Sequence, residues 1–370
     1  MRSAEMDTLI VTGASGALGQ RFVGDWLRAR PDGRAIVLVR SDAAARACES
    51  VWPPAWRGSV SFVRGDLLDP ASMRDAAASL APVDHAVAVH LAADVSWHKS
   101  FEEMHEMNVE GTLRFAEFVE RVARERHFVY VSTAFTRPHD WVYRNGYEES
   151  KAAGERALRE RFGSTMPVSV FSCSLVVGDS IDGAIGRFHG LYPLIRFIAS
   201  LAPPFLVGNR AGLMDIVPID WVAGELVQLA RRGAAGAAPS NVVAAAGDAR
   251  LSYERIVRLI ESRINIARLA AGLPALAPVP ILRMRQWAFL KRSLSTWRPE
   301  GISTGDFRYF ERLLQIYGVY AESETVCAPE NTTCIAPAGE VFLPLAVDYW
   351  LAHASDAQAG LKRQVAAGMI

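Results

Sequence analysis

Tyr147 and Lys151 stand four residues apart, with Ser132 and Thr133 upstream of them. On a helix that spacing puts a phenol and an ammonium on one face. An ammonium beside a phenol stabilises the phenolate, so the Tyr147 pKa is expected to fall. Such a phenol exchanges a proton with a carbonyl or alcohol oxygen near neutral pH. A hydroxyl at the end of an upstream strand can donate to the same oxygen. Thr133 is the first candidate for that donor and Ser132 the second. A Tyr-x-x-x-Lys spacing also arises as a plain surface pair. Its place just after an apolar strand, Phe128 to Val131, favours the chemical role.

A second constellation lies near the start, at Leu9-Ile10-Val11-Thr12-Gly13-Ala14-Ser15-Gly16-Ala17-Leu18-Gly19. An apolar strand runs into three glycines, and a helical pattern (Leu18, Phe22, Trp26, Leu27) follows at once. Strand, tight turn and helix N-terminus together hold a pyrophosphate. The first glycine turns the chain, the second admits the phosphates to backbone N–H groups, and the third lets helix and strand pack closely. The spacing here is Gly-x-x-Gly-x-x-Gly, not the commoner Gly-x-Gly-x-x-Gly. A carboxylate for a bare ribose would stand about 20 residues further on. Arg40 occupies that place, and a guanidinium there suits a 2′-phosphate. Arg21 can assist it. These residues favour NADP(H) over NAD(H), and the competing assignment gives the ribose to Asp42. Asp66, beside Leu67 after the third strand, can bond the adenine amino group or simply hold its turn.

The elements that must position these groups alternate. Strands are expected at Ala35–Val39, Ser59–Val63, Ala86–Leu91, Phe128–Val131, Val168–Phe171 and Asn241–Ala245. Pro31-Asp32-Gly33 stops the first helix, another covers Phe101 to Arg124, and one starting near Tyr147 carries Lys151. Arg231 to Ser240 reads as a loop. Short apolar strands between helices imply an α/β fold, a doubly wound parallel sheet of the Rossmann type. Ligands of such sheets bind outside the carboxyl ends of the strands. Two regions fall outside the alternation, the insertion Gly178–Pro218 and the tail from about Ser252. The expected organisation is a dinucleotide-binding domain over 1–250 that contains the insertion 178–218. A smaller, mostly helical substrate lobe follows over 251–370.

Bulk properties narrow the function. The chain has 370 residues, half of them apolar, and a formal net charge of zero. A large core can form, and no whole-chain field for nucleic acid exists. Cys48, Cys173, Cys327 and Cys334 form no Cys-x-x-Cys pair, so a reduced cytoplasmic chain without zinc is expected. Met1 to Thr8 has no signal-peptide character. Arg196 and Pro203-Pro204 interrupt the apolar stretch Leu191–Val207, so it is not expected to span a membrane. The sequon Asn331-Thr332-Thr333 carries no meaning in that compartment. His90 and His98 lack a third ligand at metal spacing, and His90 is expected to pack near the cofactor. Asp215 and Asp220 are expected to buttress the turn at Pro218.

The pieces together resemble an extended short-chain dehydrogenase/reductase. They are Val11–Gly19, Leu38-Val39-Arg40, Gly65-Asp66-Leu67, His90-Leu91-Ala92-Ala93-Asp94-Val95, Asn108-Val109-Glu110-Gly111-Thr112, Val131-Ser132-Thr133 and Tyr147 to Lys151. Val177-Gly178-Asp179-Ser180 and Gly212 to Val222 are similar to the branch of fatty acyl-CoA ("male sterility") and carrier-protein thioester reductases. The resemblance implies that Thr12, Gly13, Ser15, Gly16, Ala17, Leu18, Gly19, Leu91, Ala92 and Ala93 line the dinucleotide. It also implies that Lys151 holds the nicotinamide ribose and that Ser174 and Val176 pass the carboxamide. One departure stands out: Ser172 and Cys173 occupy the place of the Arg-Pro pair usual in the acyl-CoA reductases.

The implied reaction moves a hydride from NADPH to the carbonyl of an acyl thioester, carried by CoA or an acyl carrier protein. The product is an aldehyde, or an alcohol after a second hydride. Leu191, Leu194, Ile195, Phe197, Ile198, Leu201, Phe205 and Leu206 either line an acyl channel or form a buried helix. Residues 274–298 hold Arg283, Arg285, Lys291, Arg292 and Arg298, no acid, and interleaved Trp287, Phe289, Leu290 and Trp297. This basic segment suits an acidic acyl carrier protein, CoA phosphates or peripheral contact with an anionic membrane. The competing functions are a nucleotide-sugar epimerase or dehydratase, a hydroxysteroid-type dehydrogenase, and a non-catalytic NADP-sensing regulator.

Overall fold

The computed structural model describes residues 8–136, 143–201, 203–294, 304–322 and 327–355. The first half alternates strands and helices: β1 (Thr8–Thr12), α1 (Ala17–Ala29), β2 (Arg34–Val39), α2 (Asp42–Glu49), β3 (Val60–Arg64), α3 (Pro70–Ala78), β4 (Val83–His90) and α4 (Phe101–His105). A π-helical turn, Glu106–Glu110, joins α4 to α5 (Gly111–Val122). Then come β5 (Ala123–Thr133), α6 (Gly146–Phe162), β6 (Val168–Cys173), β7 (Leu175–Val177), α7 (Tyr192–Leu201), β8 (Leu206–Val207), β9 (Leu213–Met214) and β10 (Ile216–Pro218). The chain continues through α8 (Ile219–Ala234), β11 (Asn241–Ala244), β12 (Leu251–Ser252), α9 (Tyr253–Ala270), β13 (Ile281–Leu282), α10 (Met284–Leu294), α11 (Thr304–Glu322) and α12 (Gly339–His353).

Seven strands form one sheet in the order β11-β6-β5-β4-β1-β2-β3, and every pairing in it is parallel. The doubly wound α/β architecture is therefore present. The order reverses between β1 and β4, which opens a crevice at their carboxyl ends. Leu9, Ile10, Val11, Val87, Ala88 and Val89 are wholly or almost wholly buried, because helices cover both faces of the central strands. Burying such an aliphatic side chain contributes about 1.5–3 kcal/mol.

Local chemistry sets the helix starts. Ser41 caps α2 by accepting from the Ala44 N–H, and Asp69 caps α3 by accepting from that of Ala71. Ser100 and Glu103 complete a capping box on α4. The helix expected over Phe101–Arg124 is interrupted by the π-helical turn and stops at Val122, where the sheet takes the backbone over. Residues Arg231 to Ala234, expected in a loop, are the last turn of α8.

The chain divides into two compact units, and each draws on several segments. The sheet unit comprises Met1–Ser174, Asp220–Ala245 and Pro329–Ile335. The last of these segments bridges to β11, through Glu330 and Val243. It is anchored on Glu225, a carboxylate only 2% exposed. Glu225 accepts from Thr333 N at 2.7 Å, Thr333 Oγ1 at 2.6 Å and Cys334 N at 3.1 Å. The Trp221 indole donates to Cys334 Sγ at 3.2 Å.

The second unit comprises Leu175–Ile219, Ala246–Ala328 and Ala336–Ile370. Its axis is α9 against α12, tied by a two-pronged ion pair between Arg263 and Asp348 at 2.8 and 2.5 Å. Gly183 (φ +74°) backs so closely onto the Leu345 carbonyl that a Cβ would lie 2.1 Å from its oxygen. Asp215 accepts from Ala246 N at 2.9 Å, a buttress just before Pro218. In this unit Leu191, Leu194, Ile195, Phe197, Ile198 and Leu206 are at most 1% exposed, so the apolar insertion packs as core. Trp287 on α10 is buried with Val207 and Leu314. Among the described residues no helix is long and apolar enough to cross a membrane.

Replacing Glu225 with Ala leaves the Thr333 and Cys334 donors without their acceptor and is expected to cost about 2 kcal/mol. Urea denaturation measures the loss. Faster amide exchange confined first to 329–335 distinguishes a released segment from general loosening.

Candidate active site

The carboxyl ends of the sheet strands carry most of the expected residues. Gly13, just past β1, adopts φ +71°, and a Cβ there would lie 2.5 Å from the Ala92 nitrogen. Only glycine fits. A Cβ on Gly19 would lie 2.2 Å from the Gly13 oxygen, so the third glycine is needed for the helix to meet the turn. Gly16 caps α1 with no side-chain bond and no acid in the first turn. The first N–H groups of a helix have no partner within it, and an N-terminus without an acid suits a pyrophosphate. Ser15, Gly16, Ala17 and Leu18 stay partly exposed at this N-terminus, as do Leu91, Ala92 and Ala93 past β4.

The adenine end is more mixed. Arg40 is exposed at the end of β2, where a 2′-phosphate would lie, and no ion pair to it occurs among the described residues. Arg21 is turned to Asp25 in an ion pair at 2.7 Å, which competes with a phosphate role. Asp66 accepts from Leu68 N at 3.0 Å, so one carboxylate oxygen holds its own turn. Leu67 is buried in the sheet core, and its carbonyl accepts from Arg114 at 2.8 Å.

Thr133 ends β5 in register with Cys173 at the end of β6, and Ser132 is in register with Ser172. The Thr133 oxygen receives one long bond, 3.5 Å from Phe135 N. Tyr147 lies in the first turn of α6, which Asn145 caps by accepting from Glu148 N at 3.0 Å. Gly146 presses this turn onto α4: a Cβ there would lie 2.4 Å from the Ser100 carbonyl carbon. Lys151, one turn on, is 2% exposed, and its Nζ lies 4.1 Å from the centre of the Tyr130 ring. The Tyr130 hydroxyl donates to the Lys151 carbonyl at 3.1 Å. Buried Ser174 Oγ has no hydrogen-bond partner among the described residues. Val176 lies in β7, within the second unit.

The electrostatics correct one expectation. The Tyr147 pKa is not lowered by its lysine. Burial, then Cys173 and Glu148, push it above the ordinary phenol value. Burial also lowers Lys151 to about 7, although Cys173 and Glu155 act the other way. Cys173 is itself pushed up to about 12 by burial, so it is a neutral thiol. Tyr147 thus stays a proton donor across the physiological range, which suits a reduction.

Several contributors were not singled out from the sequence. Asn108, fully buried in the π-helical turn, receives Asp94 N at 2.7 Å and donates to Asp94 O and Ser150 Oγ, both at 2.9 Å. It joins the segment after β4 to α6. Its signal was present in Asn108-Val109-Glu110-Gly111-Thr112, but the contact with Ser150 spans 42 positions of the chain. Cys173 stood out only as a departure from an Arg-Pro pair. His90 accepts and donates within bonds to Thr12 and Thr112, and among the described residues no group of His, Cys, Asp and Glu could hold a metal ion.

Comparison with known proteins agrees with this geometry. Residues 11–226 match the family model described as male sterility protein. An isonitrile lipopeptide synthase of Mycobacterium tuberculosis is 29% identical over 72% of this chain and 13% of its own length. The L-2-aminoadipate reductase large subunit of Penicillium chrysogenum is 24% identical over 69% of this chain and 20% of its own. This chain therefore spans a fifth or less of those two relatives. Among solved structures, the terminal R domain of the myxalamid PKS-NRPS pathway superposes with a TM-score of 0.72 at 19% identity, covering 95% of this chain and 92% of that one. The family model spans more than half of the chain and leads to one conclusion: the chain belongs to the male sterility protein family.

Proposed function

We propose that this protein reduces acyl thioesters with NADPH, releasing an aldehyde or, after a second turnover, an alcohol. The observation that carries the reading is the placement of Tyr147 in the first turn of α6, one helical turn from the buried Lys151, on a strand-end framework that includes Thr133. The named relatives include an aminoadipate reductase and a lipopeptide synthase, which fits a substrate held as a thioester. Thr12, Gly13, Ser15, Gly16, Ala17, Leu18 and Gly19 would hold the pyrophosphate, Arg40 the 2′-phosphate and Lys151 the nicotinamide ribose. Ser174 and Val176 would pass the carboxamide. When bound, NADPH supplies the hydride.

The chain's own residues do the rest. Thr133 Oγ1 and the Tyr147 hydroxyl hold the thioester oxygen as it gains negative charge. Tyr147 gives it a proton, leaving a hemithioacetal. Collapse of that species breaks the carbon–sulfur bond and returns the thiol. The Lys151 ammonium stabilises the phenolate left behind, and Asn108 keeps its helix in register with β4. The thioester is presented by a carrier of acidic character. Arg283, Arg285 and Arg292 are exposed around an outward Phe289, 72% exposed, while Trp287 on the same helix is buried. The Lys291 side chain and Arg298 lie outside the described residues.

The primary test is NADPH oxidation against acyl-CoA and acyl-carrier thioesters, with UDP-sugars as controls and the products identified. Turnover of a UDP-sugar and none of any thioester overturns the reading. Tyr147→Phe is expected to lower kcat by about 10²–10⁴-fold while NADPH still binds. In the free enzyme Lys151 is an ammonium below pH of about 7 and a neutral amine above it. Its stabilisation of the phenolate is therefore lost as pH rises, so kcat/KM should fall through that region. In Lys151→Arg the descending limb should move to higher pH, because a guanidinium keeps its proton. Reversing charge at Arg283 and Arg285 should raise KM for carrier-bound substrate and leave KM for NADPH unchanged.

A further inference from the structure

A continuous chain of buried polar groups runs between the glycine turn and the helix that carries Tyr147. Ala92 N donates to Thr12 Oγ1 at 3.3 Å. Thr12 Oγ1 lies 2.8 Å from His90 Nδ1, and His90 Nε2 lies 3.0 Å from Thr112 Oγ1. Thr112 Oγ1 donates to the Asn108 carbonyl at 2.8 Å. The Asn108 amide donates to Ser150 Oγ, which donates to the Tyr147 carbonyl, each at 2.9 Å. Thr12 is 1% exposed, and His90, Asn108, Thr112 and Ser150 are completely buried.

The direction of every link follows from the next. With the Thr112 hydroxyl proton given to the Asn108 carbonyl, Thr112 accepts from His90. His90 then carries its proton on Nε2, and the bare Nδ1 accepts the Thr12 hydroxyl proton. The Thr12 oxygen in turn accepts from Ala92. A cationic imidazole would put a second donor against Thr12 and break the order. Complete burial and the nearby Lys151 charge both hold the ring neutral. Its face packs on Phe115, with ring centres 5.2 Å apart, so it cannot turn to another partner without opening the core. Dipoles aligned head to tail from Ala92 to the Asn108 carbonyl reinforce one another, and Thr112 reaches that carbonyl by the usual bond of a helical threonine to the residue four back.

We propose that Thr12, His90, Thr112 and Asn108 form a one-directional hydrogen-bond relay through which occupancy of the glycine turn orders the Tyr147–Lys151 helix, with His90 as its central positioning residue. The proposal rests on the reading of Tyr147 and Lys151 as the catalytic pair and of the glycine turn as the pyrophosphate site. The relay carries orientation, not protons: each hydrogen stays on its donor. Its entry point is built into the cofactor cradle, since Gly13 follows Thr12 directly and abuts Ala92. Its exit is the carbonyl of Tyr147 itself. A pyrophosphate pressing on the turn fixes Thr12 and Ala92, and the relay passes that constraint to the first turn of α6.

ADP provides the test, because it carries a pyrophosphate and no nicotinamide to touch Lys151 directly. Amide exchange is followed by mass spectrometry in segments 13–19 and 146–156, with and without ADP. In the wild type, ADP should slow exchange in both segments, about fivefold in the second. Thr112→Val, nearly isosteric, should keep the protection of 13–19 and lose that of 146–156, and Thr112→Ser should restore it. Ser150→Ala cuts the relay at its other end and should behave like Thr112→Val, which keeps the test valid if one variant does not fold. A nitrogen-15 spectrum of the His90 ring should show its proton on Nε2. Equal protection of 146–156 in the wild type, Thr112→Val and Ser150→Ala overturns the relay, as does protection confined to 13–19 in the wild type. Protection of neither segment overturns the pyrophosphate reading of the glycine turn, and the relay with it.

Discussion

At the carboxyl end of β1, the backbone of Gly13 touches the backbone of Leu91 and Ala92 at distances no side chain would tolerate. This contact depends on β1 and β4 being neighbours in a parallel sheet. It closes the floor of the cradle, sets the start of α1, and brings Thr12 against His90. The parallel register then carries the same end of the sheet outward through β5 to β6. Thr133 and Cys173 meet because that register is shared. A side chain at residue 13 would push β1 from β4 and disturb both halves of the site at once.

The reactive groups owe their character to burial more than to each other. Removing Lys151 from water costs the charged form, and burial lowers its pKa to about 7. The same desolvation raises the Tyr147 phenol, with Cys173 and Glu148 adding to it. The raised phenol keeps its proton, while the lowered lysine confines its ammonium form to below about pH 7. The electrostatic sign was therefore misjudged from the Tyr-x-x-x-Lys spacing alone, which contains no information about solvent.

Much of the architecture was legible. The strand ends expected at Val39, Leu91 and Val131 lie within two residues of those in the structure, Val39, His90 and Thr133, because apolar runs stop there at turn and hydroxyl residues. Boundaries failed where tertiary contacts overrode local preference. At Ala123 the sheet claims residues that read as helix, and at Arg231 a helix claims residues that read as loop. Arg21 was legible as a cation near the cradle, but its engagement by Asp25 is a matter of side-chain geometry. The basic residues of 283–292 were legible as a group. That Trp287 turns inward while Phe289 turns outward follows from packing against Val207 and Leu314.

By itself the sequence determined the α/β alternation, the glycine turn, the Tyr147–Lys151 pair and a family likeness. These are local: periodicity, turn chemistry and helical spacing act over a few residues. Only the tertiary structure decided that Tyr147 and Lys151 are shielded from water, that Cys173 stands beside Thr133, that Glu225 anchors 329–335, and that Asn108 reaches Ser150. These depend on desolvation and on contacts between residues tens to more than a hundred positions apart, which no local pattern encodes.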